Sequence, residues 1–271
     1  MTDEVMDKLA ERALANNPPA PGDYRGEDGL LRCGVCGDPK ETIIAERVVA
    51  CACRCRQEAG EKLEREKREA ENEERRKKAF TSPKLAGYRL SKADPGETTE
   101  KISRYVSEWA RFKEEGSGLL LWGSVGTGKS FYSACIVNAI IDKGESARMR
   151  TAGEVVIEAQ DAENKMRYIN NLCDKSLLVL DDLGAERGTS FGAEIIYTLI
   201  DKRYQSGKPL IVTTNIPLQD MKNTDDAGKL RLYDRILEVC IPVKVTGESR
   251  RKRKAAERLE SARKALASAE G

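Results

Sequence analysis

The run Gly123-Ser124-Val125-Gly126-Thr127-Gly128-Lys129-Ser130, continued by Phe131, has the G-x-x-x-x-G-K-[ST] spacing that encloses a phosphate. Glycine adopts positive φ at little cost, so the main chain can curl its N–H groups around an anion. A helix starting at Lys129 aims the positive end of its dipole at the same place. Lys129 then reaches the β- and γ-phosphates of ATP, and the Ser130 hydroxyl is a ligand for Mg²⁺. The competing reading is an ordinary strand-to-helix turn. A strand before the motif and a helix after it favour the nucleotide site.

Three further places supply the rest of a hydrolytic centre. Leu177-Leu178-Val179-Leu180-Asp181-Asp182 reads as a central strand delivering two carboxylates at its carboxyl end. Asp181 is placed on the Mg²⁺ side and Asp182 to polarise the attacking water. Acidic pairs also end strands as helix caps; position downstream of a phosphate loop argues for chemistry. Thr213-Thr214-Asn215 ends the following strand, where the Asn215 amide can hold the lytic water or, alternatively, cap a turn before Pro217. Arg235 reads equally as an arginine finger or as a surface helix arginine.

A second cluster is Cys33-Gly34-Val35-Cys36, followed after one hairpin's length by Cys51-Ala52-Cys53-Arg54-Cys55. Four thiolates satisfy tetrahedral Zn²⁺ and leave no open position, so the expected role is structural. Five cysteines compete for four places, and reduced thiols or a redox pair are the alternatives. Bound Zn²⁺ would contribute on the order of 10 kcal/mol to folding so small a unit. Cys135, Cys173 and Cys240 lie in apolar periodic segments and read as core thiols.

The elements that hold these groups follow from hydrophobic period. Apolar strands are expected at 118–123, 146–150, 176–182, 209–215 and 240–245, with helices at 129–143, 190–206 and 227–238. Thr151 and Glu154 form a capping box that opens a further helix. Strands alternating with helices give an α/β domain: a five-stranded parallel sheet covered by helices on both faces. Composition divides the chain into an amino-terminal helix and loop (1–29), a cysteine-rich module (30–56), a charged helical linker (57–99), the nucleotide domain (100–248) and a basic tail (249–271). The linker carries acid-first i,i+4 pairs Glu61–Arg65, Glu64–Arg68, Glu71–Arg75 and Glu74–Lys78, each worth roughly 0.2–0.5 kcal/mol, and reads as a solvent-exposed helix.

Composition also excludes. Histidine is absent, which removes Ser-His-Asp and Cys-His nucleophiles and any histidine-ligated metal. No apolar run reaches the ~18 residues that span a membrane, and residues 1–17 lack the apolar core of a secretory signal. The expectation is a protein of the reducing cytoplasm. A net charge of +2 does not by itself imply a polyanion partner. The block Arg250–Lys254, with Arg258, Arg263 and Lys264, is either a solvated charge run or a salt-dependent phosphate contact. The apolar stripe Val5, Met6, Leu9 and Leu14 either docks on a partner or packs locally.

Together the phosphate loop, the LLVLDDLGAE run (177–186), IVTTN, YDRI and Gly247-Glu248-Ser249-Arg250-Arg251 resemble the AAA+ ATPases of the bacterial helicase-loader group, the DnaC/DnaI-like and IstB-like proteins. The resemblance implies Asn215 as sensor 1, Arg235 as a finger acting on a neighbour's nucleotide, and Arg251 or Arg250 as sensor 2. The cysteine module is similar to the amino-terminal zinc module of some loaders, whose C-x-C-R ending selects Cys33, Cys36, Cys53 and Cys55, with Cys51 in reserve. The group commonly carries Asp at the second acidic position, implying slow hydrolysis. After Arg251 the sequence offers a basic helix-like tail in place of a full helical lid. The implied function is loading a hexameric replicative DNA helicase onto single-stranded DNA, with turnover requiring self-association or a ring partner. IstB-like assistance to transposition and a nucleotide-gated adaptor are the alternatives.

Overall fold

A computed structural model describes residues 18–45, 47–184, 190–247, 255, 258–260 and 263. The amino-terminal stripe, Arg250, Arg251 and most of the basic tail lie outside the described residues. The chain separates into two compact units, with the boundary between Glu71 and Asn72.

The first unit is built from short antiparallel ribbons. β1 (Tyr24–Arg25) pairs with β2 (Leu31–Arg32), and β3 (Glu41–Ile44) pairs with β4 (Arg47–Ala50). Its packing includes a buried ion pair, Lys40 Nζ to Asp23 Oδ2 at 2.6 Å. Lys40 also donates to the Pro18 carbonyl. Asp23 in turn accepts from the Ala20 and Gly34 N–H groups. The Lys40 ammonium and these amides hold the Asp23 carboxyl down at about 2.

The charged segment forms α1 (Arg54–Ala79), a single helix as expected. Its ion pairs include Lys62–Glu66, and Glu74 pairs with Lys77 at 2.7 Å, one position before the expected Lys78. Nor is the helix exposed throughout, because Asn72 and Ala79 are buried. From Asn72 onward the helix belongs to the second unit, and its end is tied down within that unit. Arg75 donates to Gly144 O, Arg76 pairs with Asp142, Arg150 donates to Ala79 O, and Arg148 reaches Lys78 O. The two arginines of one strand thus satisfy carbonyls that a helix end leaves without intrahelical donors.

After α2 (Pro83–Ala86), α3 (Glu97–Ser107) and α4 (Trp109–Glu114), the second unit alternates strand and helix: β5 (Gly118–Trp122), α5 (Lys129–Asp142), β6 (Ala147–Thr151), α6 (Ala152–Asp161), α7 (Lys165–Cys173), β7 (Leu177–Leu183), α8 (Ser190–Gln205), β8 (Leu210–Thr214), α9 (Leu218–Lys222), α10 (Ala227–Val239) and β9 (Cys240–Lys244). The sheet order is β6-β7-β8-β5-β9, parallel throughout.

Strand side chains alternate between faces, and here both faces are apolar. Leu119, Leu121, Leu177, Val179 and Ile211 pack with Ile102, Tyr105, Ile136 and Ile140 on one side. Leu120, Leu178, Leu180, Leu210 and Val212 pack with Val155, Ile169, Ile196, Leu199 and Ile236 on the other. Cys135, Cys173 and Cys240 are buried, as their apolar settings predict. The Thr151–Glu154 capping box is present, with Glu154 N donating to Thr151 Oγ1 and Thr151 N to Glu154 Oε2. Parallel pairing brings the carboxyl ends of β5, β7 and β8 to one edge, and the candidate site sits there.

Candidate functional site

The loop between β5 and α5 turns on glycines in positive φ: Gly123 at 144°, Gly126 at 86° and Gly128 at 107°. At Gly123 the need is also steric, since a Cβ there would stand 2.5 Å from the Val245 carbonyl oxygen. Gly128 precedes the first helical residue, Lys129, so the helix amino end faces into the loop. Thr127 braces the turn by donating to Ser124 O. Ser124 and Val125 are exposed at the tip, whereas Lys129 is 7% exposed. Phe131 stands behind the loop, its ring 5.1 Å from Tyr88 and 5.5 Å from Tyr132.

The Lys129 ammonium lies inside the loop and donates to Gly123 O and Ser124 O at 2.8 Å each and to Asn215 Oδ1 at 2.7 Å. Asn215 Nδ2 donates onward to Asp182 Oδ1 at 3.2 Å. One continuous hydrogen-bonded chain therefore joins the phosphate loop, the end of β8 and the end of β7. Asp181 is buried and accepts a 2.6 Å hydrogen bond from Thr213. Burial pushes its carboxyl up from the usual range, while the Thr213 and Ser130 hydroxyls pull it back. Ser130 and Asp181 thus offer hard oxygen donors side by side, the donor set Mg²⁺ takes.

Beside Thr127 opens a cavity of about 380 Å³ lined by residues 94–99, Tyr132, Thr246 and Gly247. Thr99 shapes its wall by bonding Tyr132 Oη and Asp94 O. No sequence motif marks the 94–99 segment. Thr213 lies within the IVTTN run, which points to a role for Asn215 but to none for the Thr213 hydroxyl.

Arg235 is not drawn into this network. It pairs with Asp201 at 2.7 Å and lies over the Tyr197 ring at 4.8 Å, both on α8.

In the first unit Cys33, Cys36, Cys53 and Cys55 bring their sulfurs within 4.8 Å of one another. Cys51 Sγ instead donates to Pro39 O. The hairpin β3–β4 and the start of α1 bring the two cysteine pairs together, and Gly34 is required because a Cβ would meet Gly22 O at 2.1 Å. A tetrahedral Zn–S bond of about 2.3 Å implies sulfur separations of roughly 3.8 Å. Cys33–Cys55 at 3.6 Å and Cys53–Cys55 at 3.4 Å are close to that value. The backbone amides of Cys36 and Val35 pull the Cys33 thiol down to about 6. Its sulfur neighbours, Cys53 first, push Cys55 up to about 12. A cation is what would allow all four to ionise together, so the residues suit zinc.

A parallel sheet with this loop after β5, paired acids at the end of β7 and an amide just after β8 defines a P-loop ATPase domain of the AAA+ type. The family described as IstB-like ATP binding protein matches residues 58–258, and the chain belongs to that family. The replicative helicase loader DnaI of Bacillus subtilis (strain 168) is 29% identical over 150 residues, 51% of this chain and 48% of that protein. The replicative helicase loader DnaC of Escherichia coli (strain K12) is 25% identical over 139 residues, 49% of this chain and 56% of that protein. The chain spans about half the length of the curated relatives it matches. A crystal structure of DnaI shares the fold, with a TM-score of 0.54 at 23% identity over 63% of this chain and 94% of that one. Among the described residues no helix is long and apolar enough to cross a membrane.

Proposed function

We propose that the chain binds ATP with Mg²⁺, hydrolyses it slowly, and uses that cycle to deliver a hexameric replicative DNA helicase onto single-stranded DNA. The observation that carries the reading is the Lys129–Asn215–Asp182 chain, which ties the phosphate-binding cation to the proposed hydrolytic carboxylate through one amide. The names of DnaI and DnaC supply the helicase-loading part.

In this reading the loop amides of residues 123–130 enclose the phosphates, and the base and ribose occupy the cavity beside Thr127. Lys129 exchanges its loop carbonyls for the β- and γ-phosphates. Ser130 and Asp181 would hold Mg²⁺, which would supply charge to offset the phosphates. Asp182 orients and polarises the attacking water, and Asn215 fixes that water against the γ-phosphate. Arg235 leaves Asp201 to reach a neighbour's nucleotide, so turnover requires self-association or assembly on a ring. Arg251 serves as sensor 2, and the basic tail contributes to DNA contact. Zn²⁺ on Cys33, Cys36, Cys53 and Cys55 holds the first unit folded.

ATP turnover measured alone, with single-stranded DNA, with duplex DNA and with a hexameric replicative helicase tests the reading. Stimulation by the helicase together with single-stranded DNA supports loading. Stimulation by duplex alone contradicts it and favours the transposition-type ATPase. Binding without turnover under every condition favours the nucleotide-gated adaptor.

A further inference from the structure

β7 and β8 pair in register as far as Leu180↔Val212 and resume at Leu183↔Thr214. Two residues of β7, Asp181 and Asp182, therefore stand opposite one of β8, Thr213, and the bulge falls on the two acids. Asp182 absorbs the extra length with φ at 59°, the left-handed region that Asp and Asn tolerate better than other non-glycine residues. A bulge also disrupts the ladder hydrogen bonds locally, leaving backbone groups that need another partner.

Side chains of β8 fill the gap. The Asp182 N–H donates to Thr213 Oγ1 at 2.8 Å, and the same hydroxyl donates its one hydrogen to Asp181 Oδ1 at 2.6 Å. Thr214 Oγ1 likewise donates to Leu183 O. Thr213 is 1% exposed, and its branched Cβ limits rotation about χ1. One immobile hydroxyl thus sets the direction of the Asp181 carboxylate and the backbone position from which Asp182 projects.

We infer that Thr213 is a positioning residue for ATP hydrolysis, aligning the metal-side and water-side carboxylates through a single hydroxyl that substitutes for the ladder bond lost at the bulge. The inference rests on the ATPase reading above and adds to it the device that holds the two acids in register. Valine at this position would fill the same volume and pack as well in a strand. A purely structural role for the hydroxyl would show in Thr213→Val as lost melting temperature, with affinity and rate falling in step, rather than as a selective loss of kcat.

The test compares Thr213→Val, Thr213→Ser and Asp182→Asn in the full chain, reading ATP affinity with a fluorescent analogue, kcat, Mg²⁺ activation and melting temperature. Thr213→Val is expected to lose about 10²-fold in kcat, the scale of an ångström-level misplacement. Its Mg²⁺ concentration for half-maximal turnover should rise about tenfold, as when a metal ligand loses its outer-shell partner. ATP affinity should stay within about threefold of wild type, separating chemistry from binding. Thr213→Ser, which keeps the hydroxyl, should recover most of the rate. Wild-type turnover by Thr213→Val alongside an inactive Asp182→Asn overturns the inference, as does a Thr213→Val that loses affinity and melting temperature in step with rate. Wild-type turnover by Asp182→Asn overturns the underlying ATPase reading, and the inference with it.

Discussion

The Lys129 ammonium donates to the side-chain oxygen of Asn215 at 2.7 Å, across 86 residues of sequence. The same amide's nitrogen reaches Asp182. Asn215 therefore touches both the ammonium and the carboxylate to which the proposed function gives the γ-phosphate and the attacking water. Asn215→Ala should keep ATP affinity and lower kcat about 10²-fold, the range for a lost polar contact to the reacting centre. Steady-state kinetics beside an equilibrium ATP titration check this.

Asp182 is bound to its residue type by backbone as well as by chemistry. With φ at 59°, a longer side chain that cannot hydrogen-bond locally is strained. Asp182→Glu keeps the charge and should still turn over about tenfold more slowly than wild type, because its carboxylate is displaced by a methylene. A rate equal to wild type would show that the bulge leaves more freedom than the geometry indicates.

Asp181 carries a cost in the absence of nucleotide. Burial raises its folded carboxyl pKa above the unfolded value of 3.8, so the ionised group opposes folding at pH above the folded pKa. Below the unfolded value both states are protonated and the penalty vanishes. Asp181→Asn should thus melt a few degrees higher than wild type at neutral pH while losing hydrolysis, a common trade at active sites. The advantage should shrink as pH falls into the carboxylate range. Thermal melts of the nucleotide-free protein from pH 7 to pH 4 read it directly.

The cysteine unit yields a prediction about metal. Carefully reduced protein should contain one Zn²⁺ per chain, and Cys36→Ser should abolish it. Cys51→Ser should not, since Cys51 faces Pro39 and stands outside the four-sulfur cluster. Metal analysis with a chelator-release assay tells the two apart. Acidification should release the metal as protons displace it from the thiolates.

The sequence makes the frame of this molecule easy to read and its fine adjustments hard. Apolar runs such as Leu177–Leu180 and Leu210–Val212 are buried on both faces, and their composition alone places them in a sheet centre. The glycines of the phosphate loop and the Thr151–Glu154 box act through local backbone geometry, so short windows suffice. The bulge at Asp182 depends on how two strands pair, information absent from either strand alone. Arg203 looks like an ordinary residue of a helix end, yet it is fully buried and donates to the carbonyls of Cys173, Lys175, Ser176 and Pro209. Only the fold brings those four carbonyls to one side chain. The cavity wall at 94–99 is likewise assembled by packing rather than by a motif.

Equilibrium titration of ATP·Mg²⁺ against the wild-type chain and Lys129→Ala decides whether this loop is a nucleotide site at all. The wild type should bind with micromolar affinity, and the variant should lose at least about 100-fold, the scale of a missing charge-assisted contact to a polyphosphate. Equal binding by the two proteins would contradict the assignment of residues 123–130 to the triphosphate.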